Sequence, residues 1–208
     1  VASVGEDVNA GVGSLRGSPA PAEIDDALVG DVARGSADAF AVLVDRHSPA
    51  LFRVAWRMLG SSADAEDAVQ ETFTKLWSQA AGWKPGGLGA GPWLHRVCVN
   101  HCLDRLRRRK HVADCEPPER ADPATGAEYG LVAEQTRVLA RQAIMRLPER
   151  QRAAIILTYY EELPNAAVAE ILGLNVKALE SLLVRARQAL RAMLADADVD
   201  IGALEGSA

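Results

Sequence analysis

The sequence predicts an all-α protein of two small helical domains joined by a flexible linker, and three observations carry that prediction. From Glu23 onward apolar residues recur at helical spacing, and no stretch keeps the two-residue alternation of a strand. Residues 112–133 collect Pro117, Pro118, Pro123, Gly126 and Gly130 among several acids, a composition that breaks helices and separates domains. On either side of that break stands an arginine-bearing amphipathic segment, PWLHRVCVNHCLDRLRRRK at 92–110 and AEILGLNVKALESLLVRARQAL at 169–190. The expected boundaries are a disordered tail at 1–22, a first domain at 23–111, the linker at 112–133, a second domain at 134–195 and a frayed tail at 196–208.

The first domain is expected to start with a helix at about 24–34 that stops at Gly35. A second helix at 37–48 carries Phe40, Leu43 and Val44 as its apolar stripe. Pro49 fits the first turn of a third helix, where its missing N–H costs nothing. That helix buries Leu51, Phe52, Val54, Ala55, Met58 and Leu59 and ends at Gly60. Ser61 and Ser62 offer capping oxygens to a fourth helix, whose first-turn acids Asp64, Glu66 and Asp67 suit the positive end of the helix dipole. Its Ala65, Val69, Phe73, Leu76 and Trp77 turn inward, while Asp67, Gln70, Glu71, Thr74 and Lys75 face out. The glycine-rich stretch from Gly82 to Pro92 reads as a loop, and a helix follows from Trp93. In the second domain the helices are placed at 134–146, 149–161, 165–172 and 176–194, with Pro148 and Pro164 marking starts.

Composition limits what such a protein does. Its 208 residues, 49% of them hydrophobic, suffice for packed cores, and the 5% that are aromatic lie mostly before residue 94. No apolar run nears the roughly 20 residues that cross a bilayer, so membrane insertion is not expected. The start of the chain, with Glu6 and Asp7, lacks the basic-then-apolar order of a secretory signal, and a cytoplasmic protein is expected. Three cysteines, an odd number, do not read as a disulfide framework. As an enzyme the chain is poor: it has no nucleotide loop, no placed acid–base pair and no triad spacing. Catalytic residues, cofactor and small-molecule substrate are therefore expected to be none.

A net charge of −5 is awkward for a protein that grips DNA alone, because neutralising phosphates calls for surplus Lys and Arg. The charges are segregated, however. Asp64, Glu66, Asp67 and Glu71 crowd one helix, while five of the six residues 105–110 are basic. A local basic face on an acidic chain predicts weak unaided binding, with a partner supplying most of the affinity. The clustered acids beside a buried apolar stripe suit a protein-binding face, although such a cluster also suits a plain solvated surface.

Two segments fit nucleic acid. Gly173 separates two apolar-periodic segments by about three residues, the spacing of a helix-turn-helix. At 100° per residue Leu179, Leu183, Ala186, Leu190 and Met193 share the inner face, while Lys177, Ser181, Val184 and Gln188 point outward towards a major groove. Asn175 is competent to cap that long helix, and LPERQR at 147–152 begins a supporting one. Lys177, Ser181 and Arg185 are candidates for base contacts, and Arg185, Arg187 and Arg191 for phosphates. The bland alternative is an ordinary helical hairpin. In the first domain Arg96, Asn100 and Arg107 project from one side of the helix after Trp93, beside the loop and Trp83, an arrangement that can hold single-stranded DNA by stacking. A solvated basic helix end is the alternative there.

His95, Cys98, His101 and Cys102 fall within two helical turns and are residues zinc accepts. A structural zinc site usually draws ligands from a second element, and no matching pair exists elsewhere. No bound metal is therefore expected, and Cys98 and Cys102 read as small buried hydrophobes. His111 and Cys115, at the linker start, leave a zinc or redox role open.

Taken in order these stretches resemble bacterial sigma factors of the extracytoplasmic-function type (group IV), over roughly residues 24–111 and 134–194. The resemblance is carried by DAFAVLVDRHSPALFRVAWRMLGSSADAEDAVQETFTKLW (38–77), in which DAEDAVQETF is the most specific part. It continues through PWLHRVCVNHCLDRLRRRK and LPERQRAAIILTYYEELPNAAVAEILGLNVKALESLLVRARQALR (147–191). It implies that residues 23–111 are a sigma region 2 domain and 134–195 a sigma region 4 domain. Asp64, Glu66, Asp67, Gln70 and Glu71 would then grip core RNA polymerase. Trp83, Trp93, Arg96, Asn100, Arg107 and Arg108 would melt and read the minus-ten element. Asn175, Lys177, Ala178, Ser181, Arg185 and Arg187 would read the minus-thirty-five element of promoter DNA. A stress-responsive factor held by an anti-sigma factor is implied as well. The pattern departs from the family at Glu180, Leu182 and Val184, where Lys or Arg is common, and at Asn165-Ala166-Ala167, which replace acidic and aromatic residues. These departures imply an altered upstream preference or a heavier dependence on polymerase. Two rival readings are a stand-alone helix-turn-helix regulator and a metal- or thiol-dependent sensor built on His95, Cys98 and Cys102.

Overall fold

The computed structural model describes residues 21–84, 89–113 and 131–195. The order is α1 (Pro21–Ala33), α2 (Ala37–Leu59), α3 (Ser62–Gln79), a short 3-10 turn (Ala80–Gly82), α4 (Ala90–Ala113), α5 (Leu131–Arg146), α6 (Glu149–Ile155), a π-helical turn (Ile156–Tyr160), α7 (Asn165–Ile171) and α8 (Val176–Ala195). No strand occurs among the described residues, and none of their helices is long and apolar enough to cross a membrane. Most of the expected tails and linker lies outside the described residues, but Pro21 and Ala22, expected in the tail, begin α1.

Helices α1 to α4 form the first domain around Leu43, Leu51, Val54, Met58, Leu76, Leu94 and Val99, all essentially without solvent exposure. Residues 37–59 correct the sequence reading. Two helices were expected to meet at Pro49, yet α2 runs through it as one helix. Proline removes one hydrogen bond, that to the Asp45 carbonyl, and Asp45 and Pro49 both lie on the exposed side where water can serve that carbonyl. Leu43 before the proline and Leu51, Val54 and Met58 after it dock in a single core, and that shared burial outweighs one lost bond. The chain leaves α2 at Gly60 with φ +73°. The left-handed cap favours glycine there, whereas the Met145 Cε that a Cβ would meet at 2.9 Å is the end of a flexible side chain and can move aside. Ser61 then caps α3, its Oγ accepting from the Asp64 N–H at 3.3 Å.

Helix α4 begins at Ala90, three residues before the expected start. Pro92 is accommodated because a first-turn residue has no intrahelical acceptor for its N–H.

In the second domain α5, α6 and α7 surround α8, whose Leu179, Leu183, Ala186, Leu190 and Leu194 are buried. Leu194 takes the innermost place expected of Met193, which is half-buried. The π-helical turn was not foreseen. It adds a residue to the turn, with Glu161 N–H donating to the Ile156 carbonyl at 3.1 Å, and so rotates the chain beyond it by about 100°. Glu162 closes it with φ +50°, a left-handed conformation uncommon outside glycine. Gly173, at φ +63°, makes the turn between α7 and α8.

The two domains touch. Arg152 of α6 is buried, and its guanidinium donates to the Met58 carbonyl at the end of α2 at 2.5 Å, to the Leu147 carbonyl at 3.3 Å and to the Met145 carbonyl. One cation thus serves orphan carbonyls at the C-terminal ends of α2 and α5, where the helix dipoles favour positive charge. Burial pushes the Arg152 guanidinium below its ordinary range, a cost these three acceptors offset.

Candidate nucleic-acid interface

Three surfaces hold the expected functional residues. The first is α3. Glu66, Asp67, Gln70 and Glu71 are exposed along one side, as their spacing requires. Asp64 is not with them, which corrects its expected place on that face. It is buried, and its carboxylate is held by Arg105 and Arg109 of α4. Arg105 also reaches Asp67 at 3.3 Å, and Arg109 donates to the Leu59 carbonyl at 3.3 Å. Asp64 therefore joins the ends of α2, α3 and α4. Beside the acids runs an apolar groove of about 780 Å³, lined by Phe40, Val44, Phe52, Val69, Phe73 and Trp77 with Glu66 and Gln70 at its rim. Trp77 was expected inside, yet it stands half in solvent, edge-on to Phe40 at 5.1 Å.

The second surface surrounds Trp83 and Trp93. Their rings meet edge to face, with centroids 5.7 Å apart at 89°. They line a cavity of about 350 Å³ together with Gln79, Lys84, Pro92 and Arg96. The buried Trp83 Nε1 has no hydrogen-bond partner among the described residues, an unusual state for a buried donor. Arg96 and Asn100 are exposed one turn apart, and Arg107 and Arg108 follow further along the helix. Not all of the basic run is available to a phosphate. Arg105 and Arg109 are engaged by Asp64, and Arg107 pairs with Asp104 at 3.0 Å.

The helix-turn-helix is the third. Asn175 Oδ1 accepts from the Ala178 N–H at 2.8 Å, so its amide oxygen serves as the cap of α8. Lys177, Ser181, Val184, Arg185 and Gln188 are exposed, while Ala178 and Arg187 are half-buried. The Ser181 hydroxyl donates to the Lys177 carbonyl at 3.0 Å, and Arg185 Nε donates to the Ser181 carbonyl at 3.2 Å. Lys177 and the guanidinium end of Arg185 remain the long polar reach of this face. Arg150 ties the motif together by donating to the Leu172 carbonyl at 2.6 Å.

No group of three ligating side chains among the described residues is placed to hold an ion. Cys98 Sγ donates to the Leu51 carbonyl at 3.8 Å, and its hydrogen bond to Cys102, followed by burial, pushes the Cys102 thiol well above its ordinary range. The His95 Nδ1–H donates to the Gly91 carbonyl at 3.0 Å, and burial holds the imidazole below its ordinary value. These side chains pack the domain. His111 and Cys115 fall outside the residues whose side chains are described.

Fold and surfaces together define a two-domain helical transcription factor of the sigma-70 type. The sigma-70 region 2 model matches residues 43–112, and the sigma-70 region 4 model matches residues 137–190. The chain is 34% identical over 157 residues to the ECF RNA polymerase sigma factor SigE of Mycolicibacterium smegmatis, covering 74% of this chain and 60% of that protein. It is 31% identical over 176 residues to the ECF RNA polymerase sigma factor SigW of Bacillus subtilis, covering 79% of this chain and 94% of that one. Among solved structures, CnrH in complex with the cytosolic domain of CnrY matches with a TM-score of 0.62 at 30% identity, over 85% of this chain and 99% of that chain. The sigma factor RpoE in complex with the anti-sigma factor NepR from Bartonella quintana matches with a TM-score of 0.62 at 27% identity, over 77% and 98%. The chain belongs to the ECF RNA polymerase sigma factor family.

Proposed function

We propose that this chain binds core RNA polymerase and directs it to promoters by reading a minus-ten and a minus-thirty-five element. The observation that carries the proposal is the presence on one chain of three surfaces of different chemistry: a carboxylate-rimmed apolar groove, an aromatic cavity beside Arg96 and Asn100, and a helix-turn-helix. The α3 face with Glu66, Asp67, Gln70 and Glu71 docks on the polymerase, its groove receiving apolar side chains and its rim fixing orientation. Trp83 and Trp93 receive an unstacked base, and Arg96, Asn100, Arg107 and Arg108 follow the strand it comes from. Helix α8 enters the major groove of the upstream element, with Lys177 and Arg185 reaching base edges and Arg187 the backbone. Asn175 and Ala178 contribute by setting the pitch of that helix.

The mechanism involves no covalent step. Binding energy from the upstream element and from polymerase is used to open the duplex and hold the displaced base. The similar structures of CnrH and RpoE are both complexes, with the cytosolic domain of CnrY and with the anti-sigma factor NepR. By analogy this chain is held in reserve in the cytoplasm by an anti-sigma partner until stress releases it. The test is run-off transcription with purified core polymerase on genomic fragments. Discrete start sites that vanish with the Glu66→Arg, Glu71→Arg variant support the proposal, and transcription that stays non-specific with the wild-type chain refutes it.

A further inference from the structure

Val184 stands in the open, where neither core packing nor helix formation calls for it. It is 43% exposed in the third turn of α8, on the same side as Lys177, Ser181 and Gln188. At 100° per residue Glu180 flanks these four on one side and Arg185 on the other, so Val184 lies inside the outward face and not at its margin. A β-branched side chain loses χ1 freedom in a helix, and with nearly half of its surface in water it recovers little by packing. The polar groups beside it are unsuited to a phosphate. Glu180 is exposed and brings negative charge. The Ser181 hydroxyl donates to the Lys177 carbonyl at 3.0 Å, so outward it can only accept. A phosphate oxygen is itself only an acceptor and finds no donor in either. Gln188 adds an amide, which both donates and accepts. Acceptors and an amide around a methyl-bearing side chain match the edges of bases better than the backbone that joins them.

We propose that Val184 reads a thymine of the upstream element through the C5-methyl group of the base. Thymine alone among the four bases carries a methyl group in the major groove, and apolar side chains are the ones that contact it. When the Val184 methyls meet that group, apolar surface that was in water on both molecules is buried. The inference rests on the sigma-factor reading, in which α8 enters the major groove, and goes beyond it by naming one base and its reader. A cation at this position would instead favour guanine or a phosphate, so valine changes which base pair is preferred there. The stretch of α8 from Lys177 to Val184 spans about 10 Å at 1.5 Å per residue, or about three base pairs at about 3.4 Å each. The thymine therefore lies within about three base pairs of the one that Lys177 senses.

A scan that deletes single methyl groups from the DNA tests this. The full chain with core polymerase is bound to duplex start-site fragments taken from the run-off assay. In these fragments each thymine of the upstream patch is replaced in turn by deoxyuridine, which pairs as thymine does and lacks only the methyl group. For the wild-type chain one such replacement is expected to weaken competition binding at fixed salt about fourfold, the worth of one small apolar group returned to water. Val184→Ala should weaken binding to the all-thymine fragment by about the same factor and be indifferent to that replacement. The two changes together then cost no more than either alone, which marks a direct contact. Folding is not at issue in this variant, because alanine is the better helix former at an exposed site. A wild-type chain that senses no thymine methyl, or a Val184→Ala chain that senses one as strongly as the wild type, would overturn the proposal. With polymerase still brought to its start sites, either result would leave the sigma-factor reading standing. A chain that brings polymerase to no start site would sink both.

Discussion

Replacing Asp64 by Asn separates a structural carboxylate from a polymerase-binding one. The substitution keeps shape and removes the charge shared by Arg105 and Arg109. Breaking a fully buried ion pair costs about 3–5 kcal/mol, mostly because a charge is left without a counterpart. Here the Asp64 side chain is 8% exposed, but those of Arg105 and Arg109 are 33% and 47% exposed and can recover hydration. Arg105 keeps Asp67 at 3.3 Å and Arg109 keeps the Leu59 carbonyl at 3.3 Å, so the expected loss falls to about 2 kcal/mol. With a denaturant slope of roughly 1–2 kcal/mol per molar, the urea midpoint should drop by about 1–2 M. Association of the still-folded variant with core polymerase, measured well below that midpoint, should be unchanged. An unshifted midpoint together with lost polymerase binding would refute the reasoning and return Asp64 to the docking face.

Three further outcomes are expected. Arg152→Met leaves the Met58, Met145 and Leu147 carbonyls without their donor and should cost about 3 kcal/mol at roughly 1 kcal/mol each, seen in urea as the two domains unfolding separately instead of together. Lys177→Ala should reduce discrimination among upstream-element variants by about 1–3 kcal/mol in polymerase-dependent binding, and an equal loss on every sequence would make it a phosphate contact. His95 has its folded-state pKa lowered by burial, so the unfolded chain takes up a proton first as pH falls through 6.5 and stability declines with acidification from there. Relative to His95→Asn, the wild-type chain should therefore lose urea resistance faster between about pH 7 and 5, by no more than about 1.4 kcal/mol per pH unit, and parallel profiles would show that the imidazole is not protected.

The parts of the fold legible in the sequence are those governed by neighbours a few residues apart. The inner stripe of α8, the Asn175 cap, the left-handed turns at Gly60 and Gly173, and the outward Glu66, Asp67, Gln70 and Glu71 all follow from helical period and local backbone chemistry. Pro49 misled for the complementary reason: its local preference for a helix start lost to a core that both halves of α2 share. Asp64 looked like a member of the acidic face because its partners lie 41 and 45 residues away, and no local rule announces Arg105 and Arg109 as its counterions. Glu161 was illegible for the same reason on a larger scale, since the side chains it pairs with, Arg53 and Arg57, lie more than a hundred positions away. Nothing in ILTYY (156–160) signals a π-helical turn, which arises where a packed segment must absorb one extra residue.

The proposed promoter recognition would be, above all, a property of the complex this chain makes with polymerase. A nuclease footprint over a start-site fragment, taken with the chain alone, with core polymerase alone and with both, tests that claim most directly. Protection of two patches about 25 base pairs apart is expected only in the third lane, with opened bases inside the downstream patch. Sequence-specific protection by the isolated chain, or none when both are present, would contradict it.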